Sequence, residues 1–448
     1  MSDLLGIGSS ALRAYQTALS AVGENVANAQ TPGYARRRVV LQEQSVNTIG
    51  DIGYRPQVMF NGVTAVGVAR AWDNFKAVEA RFAATADGRA SVRQQWLGGI
   101  ETALDDGASG VGQAMTGFFN AASSLASAPD DTLGRRAVLS SLDNVASAFR
   151  TSGQALARLS DGIGQAADIE IASLNDALKA LAAVNGALGP AAANGSARAS
   201  LEDQRDQLID FIAAKIDVNV TTGDDGRVTI TSASTGLSLL TGSGPNLALL
   251  VKAADGRLSL QLQTNGSTVP LPAAGGKLAG LVDVAQNVAD RRAQLDSLAT
   301  DFTAMVNGWS AAGVDANGNA GGALMSVSGG ATSIQSLVTD PSLVAAASPS
   351  GAANGNLLAL DAIRDTSKVE DRWGALVSAN AQSLASANAE ASATATWKDN
   401  SYAALDEVSG VDLDTEAAEL LRFQQAYNAS ARIIQVARET IQALFDAL

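Results

Sequence analysis

Each end of this chain carries an apolar seam with a period of seven residues, and that repetition limits the fold more than any other feature. Near the start, Leu5, Leu12, Leu19 and Val26 recur every seventh residue, with Tyr15 and Val22 at intermediate positions. At the far end Leu420, Tyr427, Ile434, Ile441 and Leu448 repeat the spacing, followed three residues later by Phe423, Ser430, Ala437 and Leu444. This is the period of a helix with one apolar stripe, and such a stripe needs a neighbouring helix to cover it. Seams at the two extremes of one chain invite the ends to pair, with everything between them an excursion. They also fit interlocking with neighbouring copies, so the seam residues are candidate subunit-interface positions. On these faces Tyr15 and Tyr427 read as packing residues, not as ligands.

Thr31-Pro32-Gly33 stops the first helix, because proline cannot continue one and glycine admits turn dihedrals. From 38 to about 73, β-branched runs broken by Asn61-Gly62 as a turn signal predict an extended ribbon. Helices are expected over 75–105, 111–127, 132–188 and 198–215; the third places Val138, Leu142, Val145, Phe149, Leu156, Leu159 and Ile163 at three-four spacing. Between 216 and 275, two alternating segments turn at Asp225-Gly226 and Asp255-Gly256 and read as a small inserted β domain. A helix over 278–309, a glycine-rich region with short strands to about 358, and a helix over 369–407 complete the middle. The expected fold is mainly α with inserted β. Terminal segments 1–40 and 408–448 form a coiled-coil layer, 41–215 and 276–407 a helical-bundle middle domain, and 216–275 a small outer β domain.

Composition narrows the function. Hydrophobic residues at 46% allow a core, while aromatics at 4% favour long, thin helical layers. The net charge of −14 repels phosphate backbones and anionic surfaces, so nucleic acid is not an expected partner. The basic run Arg36-Arg37-Arg38 has no interleaved aromatics and reads as a solvated or salt-bridged face. The chain holds no cysteine and no histidine, which removes thiol nucleophiles, disulfides and the commonest general base. Neither an enzyme nor a cofactor is expected. Asp105-Asp106, Asp130-Asp131 and Asp224-Asp225 fall at turns or helix ends, where carboxylates cap exposed amides. The Asp315-Ala316-Asn317-Gly318-Asn319 stretch has its glycine at the fourth position of a would-be calcium loop and Ser326 at the twelfth, so it reads as a tight turn with no metal. The glycine-rich stretches lack the lysine and spacing of a phosphate loop. No basic leader precedes an apolar run and no stretch of 18 apolar residues occurs, so neither a cleavable signal peptide nor membrane insertion is expected.

Three groups of residues resemble the axial proteins of bacterial flagella. SSALRAYQTALSAVGENVANAQTPGYARRRV is similar to the family's shared opening, with Asn25, Ala27, Asn28, Thr31, Pro32, Gly33 and Tyr34 at matching positions. SGVDLDTEAAELLRFQQAYNASARIIQVARETIQALF resembles its closing motif through Gly410, Val411, Leu413, Asp414, Glu416, Leu420, Gln424, Ala426, Tyr427 and Ala431. Inside, GGKLAGLVDVAQNV and WSAAGVDANGNAGGALM resemble two further family elements, with Ala285 where an arginine is usual and Ser310 where a histidine is frequent. TPGY followed by arginines, and LLRFQQAY, are closer to the first hook–filament junction type than to hook or rod proteins.

The resemblance implies a nested arrangement of inner helical tube, helical middle layer and outer β domain, and a structural subunit in a ring joining hook to filament. It implies as partners further copies of the chain, the hook protein, a second junction protein, and an export chaperone on the C-terminal helix. Export through the flagellar type III channel to an extracellular position also follows. Isolated helices of a few turns are marginal in water, so the terminal helices are expected to fold on assembly. A hook, rod or flagellin-type subunit is the alternative, and a secreted hydrolase the remote one.

Overall fold

The computed structural model describes residues 2–47, 58–192, 195–242, 244–264 and 266–446. The helices follow the periodicity closely: α1 Ser2–Ala27, α2 Asn74–Ala103, α3 Val111–Leu125, α4 Thr132–Leu188, α5 Ser196–Ala213, α6 Gly276–Ala311, α8 Val369–Ser409 and α9 Leu413–Asp446. One more, α7 Gly355–Ser367, forms from NLLALDAIRDTS and buries Leu357 and Leu360, between the expected glycine-rich region and the helix expected from 369. Asp131 starts α4 by accepting from the amides of Leu133 and Gly134 at 3.1 and 3.0 Å.

The chain forms two compact units. The first holds Met1–Ala84, Leu174–Leu247 and Ala395–Leu448; the second holds Thr85–Ser173 and Ala248–Thr394.

In the second unit the scarce aromatics gather into one core. Phe118 meets Phe119, Phe302 and Trp309 at ring distances of 5.2, 5.8 and 6.1 Å, and Phe149 meets Phe302 at 6.2 Å. Leucines and valines of α3, α4 and α6 close around them. The Asp315 stretch lies here: its Oδ1 accepts from the amides of Asn317 and Asn319, each at 2.9 Å, and Gly318 takes φ 80°, which makes the expected tight turn.

The first unit is built differently. Strands β1 Arg37–Asn47 and β2 Val58–Arg70 form an antiparallel ribbon. Asn61-Gly62, expected to turn, lies inside β2 at a register shift opposite Glu43 to Ser45, with Gly62 at φ 85°. It is a β-bulge. Positive φ at glycine serves a hairpin turn and a bulge equally well, so the dipeptide alone does not separate them. Residues 48–57, between the two strands, lie outside the described residues.

Both Asp-Gly hairpins are present, with Gly226 and Gly256 at φ 81° and 90°. The single domain expected over 216–275 is, however, two sheets. β3 Val218–Thr222, β4 Val228–Ser232, β5 Ser238–Thr241 and β6 Gly244–Pro245 form one; β7 Leu247–Lys252, β8 Leu258–Thr264 and β9 Ser267–Pro270 form the other. The first belongs to the first unit and the second, apart from Leu247, to the second unit. Pro245, which has no N–H to extend a ladder, ends the first sheet. Two short strands, β10 Met325–Ser326 and β11 Gln335–Ser336, pair in the second unit.

Gly62 also fixes how α1 meets the ribbon: a Cβ there would lie 2.3 Å from Ser10 Oγ and 3.0 Å from Ile7 Cα. Gly62→Ala is therefore expected to cost on the order of 1–3 kcal/mol from backbone strain and crowding. Denaturant unfolding checks this, and an unchanged midpoint would show that the bulge does not constrain α1.

Candidate functional site

The seams meet in the structure. α1 and α9 pack together, Tyr15 and Phe423 lie 6.3 Å apart between ring centres, and Ile434 closes on the bare backbone of Gly8, where a Cβ would be 2.6 Å from its Cγ1. Small residues form the deepest stripe of α1: Gly8, Ala11, Ala14, Ala18 and Ala21, joined by Val22 and Asn25, are buried. Leu5, Leu12, Tyr15 and Leu19 on α1, and Leu420, Phe423, Tyr427, Ile434 and Ile441 on α9, are half-buried, while Val26 and Leu444 are exposed. A second set of large apolar side chains on α9 stays in water: Leu421, Ile433, Val436 and Phe445 are 58%, 40%, 58% and 71% exposed.

Where α1 ends, the motif residues build a polar lock. Asn25 is 1% exposed, and its side chain makes every hydrogen bond an amide can make. Nδ2 donates to Arg37 O at 2.9 Å and to Glu416 Oε2 at 3.0 Å. Oδ1 accepts from Arg37 N and from the Tyr34 hydroxyl, both at 2.9 Å. Glu416, also 1% exposed, accepts a 2.6 Å bond from Arg36 Nε. Arg36 N donates to Ser409 O at 2.7 Å. One asparagine thus ties α1, the first residues of the ribbon and the first turn of α9 together. Neither aspartate, with no donor, nor leucine, with no polar atom, could replace it.

The turn is shaped for this. Thr31 donates to Asn28 through both backbone and side chain, Gly33 takes φ 73°, and Gln207 Nε2 holds Pro32 O at 2.8 Å. Gly410 lies so close to the carbonyl of Asp406 that a Cβ would come within 2.5 Å of it. Leu413 and Gln424 are exposed.

Behind the lock lies a buried ion network. Arg37 and Arg70 stand directly opposite each other in the ribbon, a repulsive pairing if left alone. Helix α5 resolves it with Asp203, Asp206 and Asp210 on one face. Arg37 Nη2 lies 3.2 Å from Asp203, Arg70 Nη1 3.0 Å from Asp206, and Arg81 Nε 2.6 Å from Asp210. Arg37 reaches Glu24 as well, at 2.7 Å. Burial pushes the Asp203 carboxyl up, against the opposing pull of Arg70 and Arg37. Buried ion pairs repay little more than their desolvation, so the network's main effect is to fix the ribbon's register on α5. The arginine run is accordingly salt-bridged at Arg36 and Arg37, with Arg38 exposed. Sequence reasoning missed Arg70, Arg81 and the aspartates as members of this site. The visible signal was acids at three- and four-residue steps in LEDQRDQLID.

Comparison with known proteins gives the class first. Residues 5–34 match the flagella basal body rod protein family, and 404–447 match the C-terminal family of the flagellar basal body rod FlgEFG proteins. These two matches fall on α1 with its turn and on α9. Residues 97–325, more than half of the chain, match the flagellar hook-associated protein FlgK helical domain family, and the chain belongs to that family. It is 29% identical over 338 residues to flagellar hook-associated protein 1 of Escherichia coli (strain K12), a match spanning 72% of this chain and 59% of that one. Identity to the Bacillus subtilis (strain 168) protein of the same name is 24% over 497 residues, covering 98% and 96%. The fold is shared with the flagellar hook junction protein FlgK from Burkholderia pseudomallei, at a TM-score of 0.51 and 23% identity over 56% of this chain and 46% of that one. Among the described residues no helix is long and apolar enough to cross a membrane.

Two outcomes test the lock. Asn25→Asp sets a carboxylate against buried Glu416 and should destabilise the fold by on the order of 3 kcal/mol, with Glu416→Gln restoring part of the loss in a double-mutant cycle. Additive effects of the two changes would dissolve the pair. The Tyr34 phenol, its pKa pushed up to about 12 chiefly by burial with Arg37 opposing, should form phenolate only near that pH. Because the folded value exceeds the ordinary one of about 10, Tyr34 contributes stability that is complete below pH 10 and is lost as pH rises towards 12. The phenolate absorbance difference between wild type and Tyr34→Phe reads this directly, and a midpoint near 10 would contradict it.

Proposed function

We infer that the chain is a structural subunit of the bacterial flagellum, forming with further copies an adaptor ring between hook and filament, and that it is not an enzyme. What carries the reading is the pairing of α1 with α9 in a chain of this family, with a second row of apolar side chains on α9 left uncovered. Burying one such leucine, isoleucine or valine contributes about 1.5–3 kcal/mol, so neighbouring copies have strong reason to cover Leu421, Ile433, Val436, Leu444 and Phe445. The site residues then divide by role. Ile434 and the half-buried seam positions hold α9 on α1, and the outward row together with Val26 contacts neighbours. Hook protein lies on one side of the ring and a second junction protein on the other. Before assembly the chain leaves the cell by the flagellar type III route, with a chaperone covering the apolar C-terminal helix, and the α1–α9 pair gains the cover of its outward row, and its full protection, only in the ring.

Val436→Asp should abolish filament attachment at normal protein level, whereas Gln435→Asp, on an already polar position, should leave it intact. Electron micrographs of complemented deletion strains separate the two. Filaments on the Val436→Asp strain would remove α9's outward row from the interface. Amides of 2–27 and 413–446 should also exchange faster in the free chain than in the assembled structure, and equal protection in both would contradict stabilisation of the pair by neighbouring copies.

A further inference from the structure

In a chain with 45 acidic and 31 basic residues, guanidiniums find carboxylates readily. In the second unit Arg89 pairs with Asp283, Arg257 with Asp255 and Asp290, and Arg372 with Asp301. Arg291 does not. Among the described residues it makes no ion pair: its Nη1 donates to the neutral Gln294 Oε1 at 2.9 Å, and its Nε–H is buried without an acceptor. The neighbouring Asp290 is 2.6 Å from Arg257. Burial holds the Arg291 guanidinium below its ordinary range, opposed by the charge of Asp290. A partly buried cation with an unfilled donor is costly, and it is the kind of cost that a ligand removes.

Arg291 borders a groove of about 430 Å³ between α6 and α8. Arg372 lines the same groove, Ala293, Ala375 and Ala379 supply its apolar surface, and Leu298 and Leu376 lie buried beneath it. Guanidiniums recognise carboxylates through a planar fork, and the apolar surface beside them would be wasted on a bare inorganic ion.

We propose that this groove binds a carboxylate carried on an apolar segment of another protein chain. The Arg291 side chain turns from Gln294 to grip the carboxylate in a bidentate pair, and the apolar flank of the segment covers the alanines. The site lies wholly within the second unit and does not depend on the ring proposed above. Segments with the right chemistry are amphipathic helices with an acidic residue beside a leucine or alanine face.

The test uses the full chain and a helical peptide of about four turns, its ends blocked, with a leucine-alanine face and one central glutamate. A second peptide carries glutamine there, and binding is read by anisotropy of a neutral dye. The glutamate peptide is expected to bind about tenfold more tightly than the glutamine one. Arg291→Met should erase that difference without lowering the thermal midpoint, since it removes an unpaired cation. Ala375→Glu, a helix-compatible change at an exposed position, supplies an internal carboxylate and should erase it too; this variant carries the test if Arg291→Met folds poorly. Equal binding of the two peptides, no binding of either, or a preference that survives both substitutions overturns the proposal. Full displacement of the glutamate peptide by equimolar acetate or phosphate would overturn it as well, by showing a free-anion site.

Discussion

The first unit depends on a buried amide that must be satisfied on all sides at once. Asn25 is enclosed by segments distant in sequence, and its contact with Glu416 spans 391 positions. An unmade hydrogen bond there costs about as much as a sizeable apolar contact yields, so α1, the ribbon and α9 must arrive together. The ion network carries the same demand outward: each arginine is tolerable in the interior only with its aspartate in place, which fixes α5 and α2 relative to the ribbon. Register is thereby chosen by polar groups, which have direction, and not by apolar ones, which do not.

The two units illustrate two ways of holding helices. In the second, Phe118, Phe149, Phe302 and Trp309 form a conventional aromatic interior, fully buried. In the first, the side chains buried on α1 and at the start of α2 are mostly small: Ala11, Ala14, Ala18 and Ala21 on α1, which packs on both the ribbon and α9, and Ala77 and Ala80 on α2 with Leu405. Against α9 it is the bare backbone of Gly8 that lets Ile434 come close, and the larger seam side chains of α9 stay half-buried. A helix packed this way can be covered on one face inside its own chain and keep an apolar face for neighbours, as the proposed ring requires.

Much of this was legible in the sequence, and the limits have physical causes. Helix positions followed from a 3.6-residue period sustained over many turns, which local chemistry dictates. Seam pairing followed too, but its depth did not: leucines dominate any hydrophobic pattern, whereas the deepest stripe is alanine, whose burial shows only when the partner is known. Asn25 and Tyr34 stood out as motif residues, yet their partner Glu416 could not be chosen from spacing. Asn61-Gly62 was ambiguous because one glycine dihedral serves turn and bulge alike. Strands over 216–275 were visible, but their division into two sheets depends on tertiary contacts. Arg291 left no sequence signal, since an unpaired arginine differs from a paired one only by what surrounds it.

The central claim is that the terminal helices pair within each subunit through the Asn25 lock and present the outer row of α9 to its neighbours. A cryo-EM map of the assembled junction, at a resolution that shows side chains, tests it most directly. The account predicts that Asn25 and Glu416 are in contact within one subunit, and that Leu421, Val436 and Phe445 are buried against adjacent copies. A map in which those three side chains face solvent or a lumen, or in which Glu416 meets the Asn25 of a different subunit, would contradict it.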